Sequence, residues 1–488
     1  MDDRTPVLVA AGQVNQREDE ERALDPVALM ALAARQAAEP RLLASVEAVR
    51  VVNLLSWRYR DPGRLLADLV GASPKSTSYS GVGGNTPQTL VNQTCVDIQA
   101  GRASVVMLAG GESWRTRMKL RAKGIKPNWP HQDETVAVAR AGDDVPMSSD
   151  TEERIGLDRP AYVYPLFEQA IRLARRESSD EHRQRLGELW STFSAVAEAN
   201  PHAWTRNKLT PEEIWQPRAD NRMISWPYPK LLNSNNMVDQ AAILILTSAE
   251  AARRFGIPEE RWVFPYSGTD AHDTYAIAER AELHRSPAIR LAGRRALELA
   301  GTHVDDIDLV DVYSCFPSAV QVAAAELGLE LDDADRALTV TGGLTFGGGP
   351  WNNYAMHSIA TAAERLIRAP GSRALITANG GYLTKHSFGV YGTAAPKGEF
   401  HWEDVQPAVD REPTRASKPT WEGVGRVESW TAPYDRDGKP ARIYVAVRTP
   451  DDARTLAVVD DDAALASMPA ELAGKAIRVR PDGTASLA

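Results

Sequence analysis

Along most of the chain, short apolar runs alternate with longer stretches whose apolar residues recur at helical spacing. Val7–Ala11, Val49–Leu55, Val105–Ala109, Ala241–Thr247, Ile307–Tyr313 and Ala374–Ala378 read as buried strands. Asp25–Glu39, Pro87–Ala100, Ser286–Leu299, Ser318–Leu327 and Tyr354–Arg368 read as helices. Asp25-Pro26 and Ser286-Pro287 each put a capping oxygen ahead of a proline, whose missing N–H is no loss at the first helical position. Such alternation predicts an α/β fold with buried sheets.

The pattern also repeats. The helix start at Asp25-Pro26 returns at Ser286-Pro287, and the strand Val51–Ser56 returns as Leu309–Ser314. Gly83-Gly84-Asn85-Thr86-Pro87 is echoed by Gly347–Pro350, and Val105–Gly111 by Ala374–Gly381. The matches keep their order at a separation of about 260–270 positions, which points to a duplicated core. A long excursion, residues 113–232, interrupts the first copy and holds six of the twelve tryptophans. An excursion of that length is expected to form a subdomain with its own small core. It carries a basic stretch, Arg115–Lys123, which reads either as a solvated face or as a contact for the phosphates of a large anionic ligand.

After about Phe400 the texture changes. Gly423–Trp430, Ala441–Thr449, Thr455–Val459 and Lys475–Val479 read as short strands, with turns at Asp435–Gly438 and Pro481–Gly483. A small β-barrel or sandwich is expected here, with the proline- and charge-rich stretch Glu403–Pro419 as a linker. The expected organisation is a first half over 1–250, including the insertion 113–232, a second half over 251–402, and a C-terminal β domain over 403–488.

Composition narrows the function. A net charge of -9 argues against a general nucleic-acid binder. The longest apolar run, Val27–Ala34, is too short to span a bilayer. Two cysteines make no disulfide framework, no Cys/His spacing suits a metal, and the acidic start leading straight into a strand is unlike a signal peptide. A cytoplasmic location is the expectation.

Several segments carry a family resemblance. Val105–Ser113 resembles the third strand and Gly-Gly turn of the thiolase superfamily, and Met237–Ala242 resembles its D-G-A-A-A segment. Ala197–Ala203 is similar to an insertion-domain stretch of the sterol-carrier type, and Gly342–Pro350 matches the length of the motif that ends in G-H-P. The β-rich tail resembles that of thiolase-like proteins of type 1. The resemblance implies two βαβαβαββ halves stacked as αβαβα layers, an OB-like C-terminal barrel, no covalently bound cofactor, and an acyl-CoA or CoA-like small molecule as the ligand. It leaves monomer and homodimer open.

The family's reactive side chains are missing from the matching positions. Where thiolases carry the acylated cysteine, at the N-terminus of the central helix of the first repeat, this chain has Gly84 or Asn85. A helix N-terminus lowers a thiol pKa, whereas Cys95, mid-helix, gains nothing from it and reads as core. The second motif appears as Tyr313-Ser314-Cys315-Phe316, the G-H-P motif as Gly348-Gly349-Pro350, and C-x-G as Ala378-Asn379-Gly380. The implied catalytic candidates are Tyr313, Cys315 and His357, the last lying in the helix beyond Pro350, near where the lost histidine would have pointed; Asn85, Gly349, Asn379 and Gly380 are the oxyanion or pocket candidates. Three readings follow: an acyltransferase-like enzyme of altered chemistry, a retro-aldol lyase using Tyr313 as base, which requires a lowered phenol pKa, and a protein that binds a CoA thioester or a partner without turnover.

Overall fold

The structure, a computed structural model, describes residues 1–18, 22–142, 145 and 147–487. The first half runs β1 (Pro6–Asn15), α1 (Pro26–Ala37), α2 (Pro40–Ala44), β2 (Ala48–Val51), α3 (Pro62–Val70), β3 (Ser76–Ser80), α4 (Thr86–Gln99) and β4 (Val105–Ser113). The insertion follows with α5 (Trp114–Ala122), β5 (Ala139–Ala141), α6 (Asp150–Arg154), α7 (Pro160–Arg175), α8 (Ser179–Ala199), α9 (Pro211–Trp215) and the ribbon β6 (Met223–Ser225) and β7 (Tyr228–Pro229). β8 (Asp239–Ser248) and α10 (Ala249–Arg254) close this half. The second half comprises β9 (Phe264–His272), α11 (Pro287–Leu299), β10 (Leu309–Asp311), α12 (Pro317–Leu327), α13 (Gly343–Phe346), α14 (Tyr354–Arg368), β11 (Arg373–Gly380) and β12 (Lys385–Gly392). β13 (His401–Asp404) and α15 (Gln406–Val409) lead into β14 (Gly423–Thr431), β15 (Ile443–Arg448), β16 (Arg454–Val459), α16 (Asp462–Ala466), β17 (Ala476–Val479) and β18 (Ala485–Leu487).

The duplication is visible in the sheets. The first is ordered β1-β8-β4-β2-β3-β5, and the second β10-β11-β12-β9-β13. In each half the first strand is antiparallel to the last, the last is antiparallel to its other neighbour, and that neighbour is parallel to the next. α4 and α14 lie against each other between the sheets, α1 and α3 cover one outer face, and α11 and α12 the other. The result is the αβαβα layering. Asp25 and Ser286 cap α1 and α11 as their sequences predict, accepting from backbone N–H groups of the first turn.

Several expectations are corrected. Val49–Leu55 forms strand only to Val51: Val52 N–H still donates to Ala109 O, but from Asn53 the amides go to side chains, Asn53 N–H to Ser80 Oγ, Leu54 N–H to the Tyr79 hydroxyl, and Leu55 and Ser56 N–H to the Glu112 carboxylate. Ile307–Tyr313 is strand only over Leu309–Asp311. β9 and β12 escape the hydrophobic pattern because polar residues on them pair with α4: Asn92 donates to the half-buried Asp270 at 3.0 Å and to the buried Ser387 at 3.2 Å. The insertion has no separate core; Tyr164, Phe167, Trp190 and Phe193 share one apolar cluster with Ala292, Val320 and Phe388 of the second half. Nor is 403–419 a free linker, since β13 pairs with β9 and Thr414 bridges Arg280.

The C-terminal sheet is ordered β16-β15-β14-β17-β18. Its two edges meet at one parallel bridge, Val458 to Thr484, where Val458 N–H donates to Gly483 O at 2.9 Å. This is the strand order of a five-stranded OB-like barrel, joined at a point and not closed by a full ladder.

Gly268 on β9 offers a direct check of the central packing. A Cβ there would lie 2.1 Å from Asn92 Oδ1, inside a fully buried polar network. Gly268→Ala is expected to cost about 2–3 kcal/mol in chemical denaturation; an unchanged midpoint would contradict this packing of α4 on β9.

Candidate active site

A cavity of about 670 Å³ lies where the two halves and the insertion meet. Its floor is the turn before α4, Gly83 and Gly84, facing Tyr313 and Cys315 beyond β10 and Asn379 and Gly380 at the end of β11. Tyr164 of α7, Phe316 and Tyr382 form one wall, and Trp351, Asn352 and Asn236 another. Hydrogen bonds fix the floor. Gly83 N–H donates to Asn352 Oδ1 at 3.0 Å, and Asn352 Nδ2 donates to Asn53 O at 3.0 Å. Tyr313 is held by its own N–H on Thr377 Oγ1 at 2.9 Å and by the edge of its ring on Tyr354. Tyr354 and Ser358 in turn donate to the buried carboxylate of Asp311.

The position that matters most has no side chain. A Cβ on Gly84 would lie 2.3 Å from the Tyr313 hydroxyl oxygen and 2.4 Å from Asn379 O. The phenol fills the space a nucleophilic side chain would need. Among the described residues, the Tyr313 hydroxyl has no hydrogen-bond partner.

Burial shifts Tyr313, Cys315 and Glu112 toward their neutral forms. It pushes the Tyr313 phenol well above its usual range, with the neighbouring Cys315 and Tyr354 adding to the effect. It pushes the Cys315 thiol up to about 12, against opposing hydrogen bonds from Tyr164 and Asn379. Asn379 Nδ2 donates to the Tyr164 hydroxyl at 2.9 Å and to Cys315 Sγ at 3.7 Å; Leu383 N–H also donates to that hydroxyl. Glu112, which grips the Leu55 and Ser56 amides at 2.7 Å beside the cavity, is raised to about 7 by desolvation against its hydrogen bonds. Tyr313 as a base at neutral pH is therefore not supported; as a neutral phenol it is a donor.

Of the residues singled out from the sequence, the fold brings Tyr313, Cys315, Asn379 and Gly380 to this cavity. His357 is not among them. It lies on the first turn of α14 facing β1, with Nδ1 2.9 Å from Gln13 Oε1, and burial lowers its pKa to about 3. Asn85 lines a separate small cavity with Lys385, its Nδ2 donating to Thr89 Oγ1 at 3.4 Å. The Gly349 N–H is committed to Asn235 O at 2.9 Å, and Asn236 donates to Gly349 O, so that amide is no oxyanion donor. Cys95 is buried in the core with its pKa pushed up. Asn352, an asparagine beside the glycine run that reads from the sequence either as an oxyanion donor or as a turn residue, also lines the cavity; Tyr164 and Trp351 were not singled out, since a tyrosine in an amphipathic helix and a tryptophan beside a glycine run carry no local signal of a site. Among the described residues, no group of three or more His, Cys, Asp or Glu is placed to hold a metal, and no helix is long and apolar enough to cross a membrane.

Comparison with known proteins places this geometry. Residues 404–484 match the family "Thiolase-like protein type 1 additional C-terminal domain", and residues 269–352 match "Thiolase C-terminal domain-like". The crystal structure of a monomeric SCP2-thiolase like protein type 1 from Mycobacterium smegmatis is 30% identical, covers 100% of both chains and superposes with a TM-score of 0.85. An acetyl-CoA acetyltransferase of Methanothermobacter thermautotrophicus is 26% identical over 372 residues, 72% of this chain and 88% of that protein. The Ltp2-ChsH2(DUF35) aldolase shares the fold at 19% identity and a TM-score of 0.58, covering 80% of this chain and 98% of that one.

Two outcomes follow from the site geometry. Gly84→Cys is expected to destabilise by about 2–4 kcal/mol through overlap with Tyr313, and Gly84→Cys combined with Tyr313→Ala to recover much of that loss and expose a thiol that iodoacetamide labels. An undisturbed, readily alkylated single variant would show that residue 84 has room for a side chain. The second outcome concerns Glu112. Its folded-state pKa is raised, so its stabilising contribution is full below the unfolded value and is lost as pH rises through about 7. Denaturation from about pH 5 to about pH 8 is expected to show the wild type losing about 1–3 kcal/mol relative to Glu112→Gln; parallel pH profiles would rule this out.

Proposed function

Because this chain belongs to the thiolase-like protein type 1 family, we propose that its cavity receives a CoA thioester and engages the thioester carbonyl without forming an acyl-enzyme. The observation that carries this reading is the 2.3 Å approach of the Tyr313 hydroxyl to the space a side chain on residue 84 would enter. With no thiolate in that place, and Cys315 held as a thiol, neither the residue-84 position nor Cys315 offers a thiolate to accept the acyl chain. What remains is an electrophilic site. The unpartnered Tyr313 hydroxyl faces the cavity, and the turn carrying Gly84 leads into the positive end of the α4 dipole. Both favour negative charge developing on a carbonyl oxygen.

The basic helix α5 supports a polyphosphate at the mouth. Arg117 donates to Leu55 O at 2.9 Å and lies over the Trp114 ring, which packs edge-on against Trp351. Leu55 and Trp351 line the cavity, so the anionic end of the ligand has a cationic and aromatic seat beside the entrance.

A second reading is retro-aldol cleavage of a β-hydroxyacyl thioester. The free Tyr313 hydroxyl favours it, because the enolate oxygen released by such a cleavage would accept from the same phenol. In this reading Tyr313 acts as the donor and not as the base; the β-hydroxyl proton would pass to a cavity carboxylate, Glu153 or Asp158, as the carbon–carbon bond breaks, and return from it to the enolate carbon.

Calorimetry with acetyl-CoA is expected to show saturable binding, weakened about 3- to 10-fold in Tyr313→Phe by loss of one hydrogen bond. Arg117→Ala is expected to weaken acetyl-CoA by a similar factor while leaving the phosphate-free S-acetylpantetheine unchanged. Absence of saturable binding, or a covalently acylated chain detected by mass spectrometry, would overturn the proposal. Release of an aldehyde or ketone from a β-hydroxyacyl-CoA, lost in Tyr313→Phe, would select the second reading.

A further inference from the structure

The most completely buried cation of the C-terminal domain is not directed into its own barrel. Arg454, at the start of β16, is fully buried. Its Nε and Nη2 form a two-pronged pair with Glu428 of β14, at 2.7 and 2.8 Å. Its remaining hydrogens leave the domain: Nη1 donates to Ala278 O at 3.2 Å and to Arg280 O, and Nη2 reaches Ala281 O at 3.4 Å. Those carbonyls belong to the loop between β9 and α11. A planar guanidinium suits this work because it presents its donors in a fixed fork, and the carboxylate behind it fixes the plane.

The clamped loop carries a second buried arginine pointing the other way. Arg280 donates through Nη2 to Tyr382 O at 3.1 Å and to Leu383 O, while its Nη1 lies 3.6 Å from Asp273. Tyr382 and Leu383 form the turn between β11 and β12, and that turn presents Gly380, Gly381 and Tyr382 to the cavity. The Leu383 N–H is one of the two donors that orient the Tyr164 hydroxyl. The same domain also holds α7, which brings Tyr164 to the wall that Tyr382 shares: Ser429 Oγ donates to Leu166 O of α7, and the Tyr444 hydroxyl to Gly156 O, each at 2.6 Å.

We infer that Arg454 is a positioning residue of the cavity, the first link of a chain from Glu428 through the 278–281 loop and Arg280 to the Tyr382–Leu383 turn, through which the C-terminal domain sets the shape of the site. The inference takes the cavity as the thioester site, so it rests on the proposed function. The step it adds is that the C-terminal domain acts on the site in cis, by holding its walls and contributing no lining residue.

The test compares Arg454→Lys, which keeps the charge and loses the fork, with Val445→Ala, a cavity-forming change inside the barrel, in the full chain at a temperature where both are folded. Amide hydrogen exchange is followed by mass spectrometry across 378–386, with β1 as internal reference, and acetyl-CoA affinity is measured alongside. Arg454→Lys is expected to speed exchange in 378–386 and weaken acetyl-CoA on the order of tenfold, with Val445→Ala changing neither. Equal effects of the two variants, or unchanged exchange in Arg454→Lys, would overturn the inference. Arg280→Lys breaks the next link with the C-terminal domain intact, and is expected to give the same local signature should Arg454→Lys not fold. Exchange needs no ligand, so a wild type that fails to bind acetyl-CoA would sink the proposed function while the exchange comparison still decides this one.

Discussion

At the head of α4, one small volume can hold either a side chain on residue 84 or the hydroxyl of Tyr313, and in this chain the phenol has it. Much of the surrounding structure serves that arrangement. Thr377 and Tyr354 set the tyrosine, Asp311 sets Tyr354, and Asn352 ties the Gly83 amide to Asn53 on the first half. The two halves of the duplicated core thus meet at a contact only glycine permits, since any Cβ would force either the phenol or the Asn379 carbonyl to move.

The second constraint is dielectric. Tyr313 and Cys315 at the cavity, and Glu112 behind it, all shift toward their neutral forms, and desolvation is the largest cause for each. A thiolase-type reaction needs the reverse, a charged sulfur stabilised at a helix terminus. Neutral donors at the buried Tyr313 end of the cavity suit polarisation of a carbonyl, because each hydrogen bond is stronger there than in water and no counter-charge has to be stripped of solvent.

The C-terminal domain belongs to the same mechanical unit. Both faces of β15 and β16 are buried. Val445, Val447, Ala457 and Val459 fill the barrel, while Tyr444, Ala446, Leu456 and Val458 join the apolar cluster shared by the insertion and the second half. The equivalent sheet face is where OB-folds commonly bind ligands; here it is occupied by this chain's own core. The domain is anchored through carbonyls of α7 and of the 278–281 loop, both of which stand behind cavity walls.

Much of this fold was legible in the sequence. Alternating periodicity, capped helix starts and the four ordered matches between the two copies predict the duplicated α/β core, because they express local rules: strand burial, first-turn N–H satisfaction and twofold copying of both. The tail's short strands and Asp-Gly turns likewise announced a small β domain. Local rules fail where polar residues are buried in pairs. β9 and β12 are absent from the strands the pattern predicts because Asp270, Ser387 and their neighbours meet partners from α4 that lie far away in the chain. Of the site, Tyr313, Cys315, Asn379 and Gly380 could be named because they stand where the resemblance to the thiolase superfamily places its second and fourth motifs. That His357 faces β1, that Asn85 turns aside, and that Tyr164 arrives from the insertion are facts of three-dimensional packing. The sequence by itself determined that residue 84 carries no side chain; only the tertiary structure decided what took its place, because the hydroxyl that fills the gap is contributed 229 positions further along the chain and reaches it only when the two halves close.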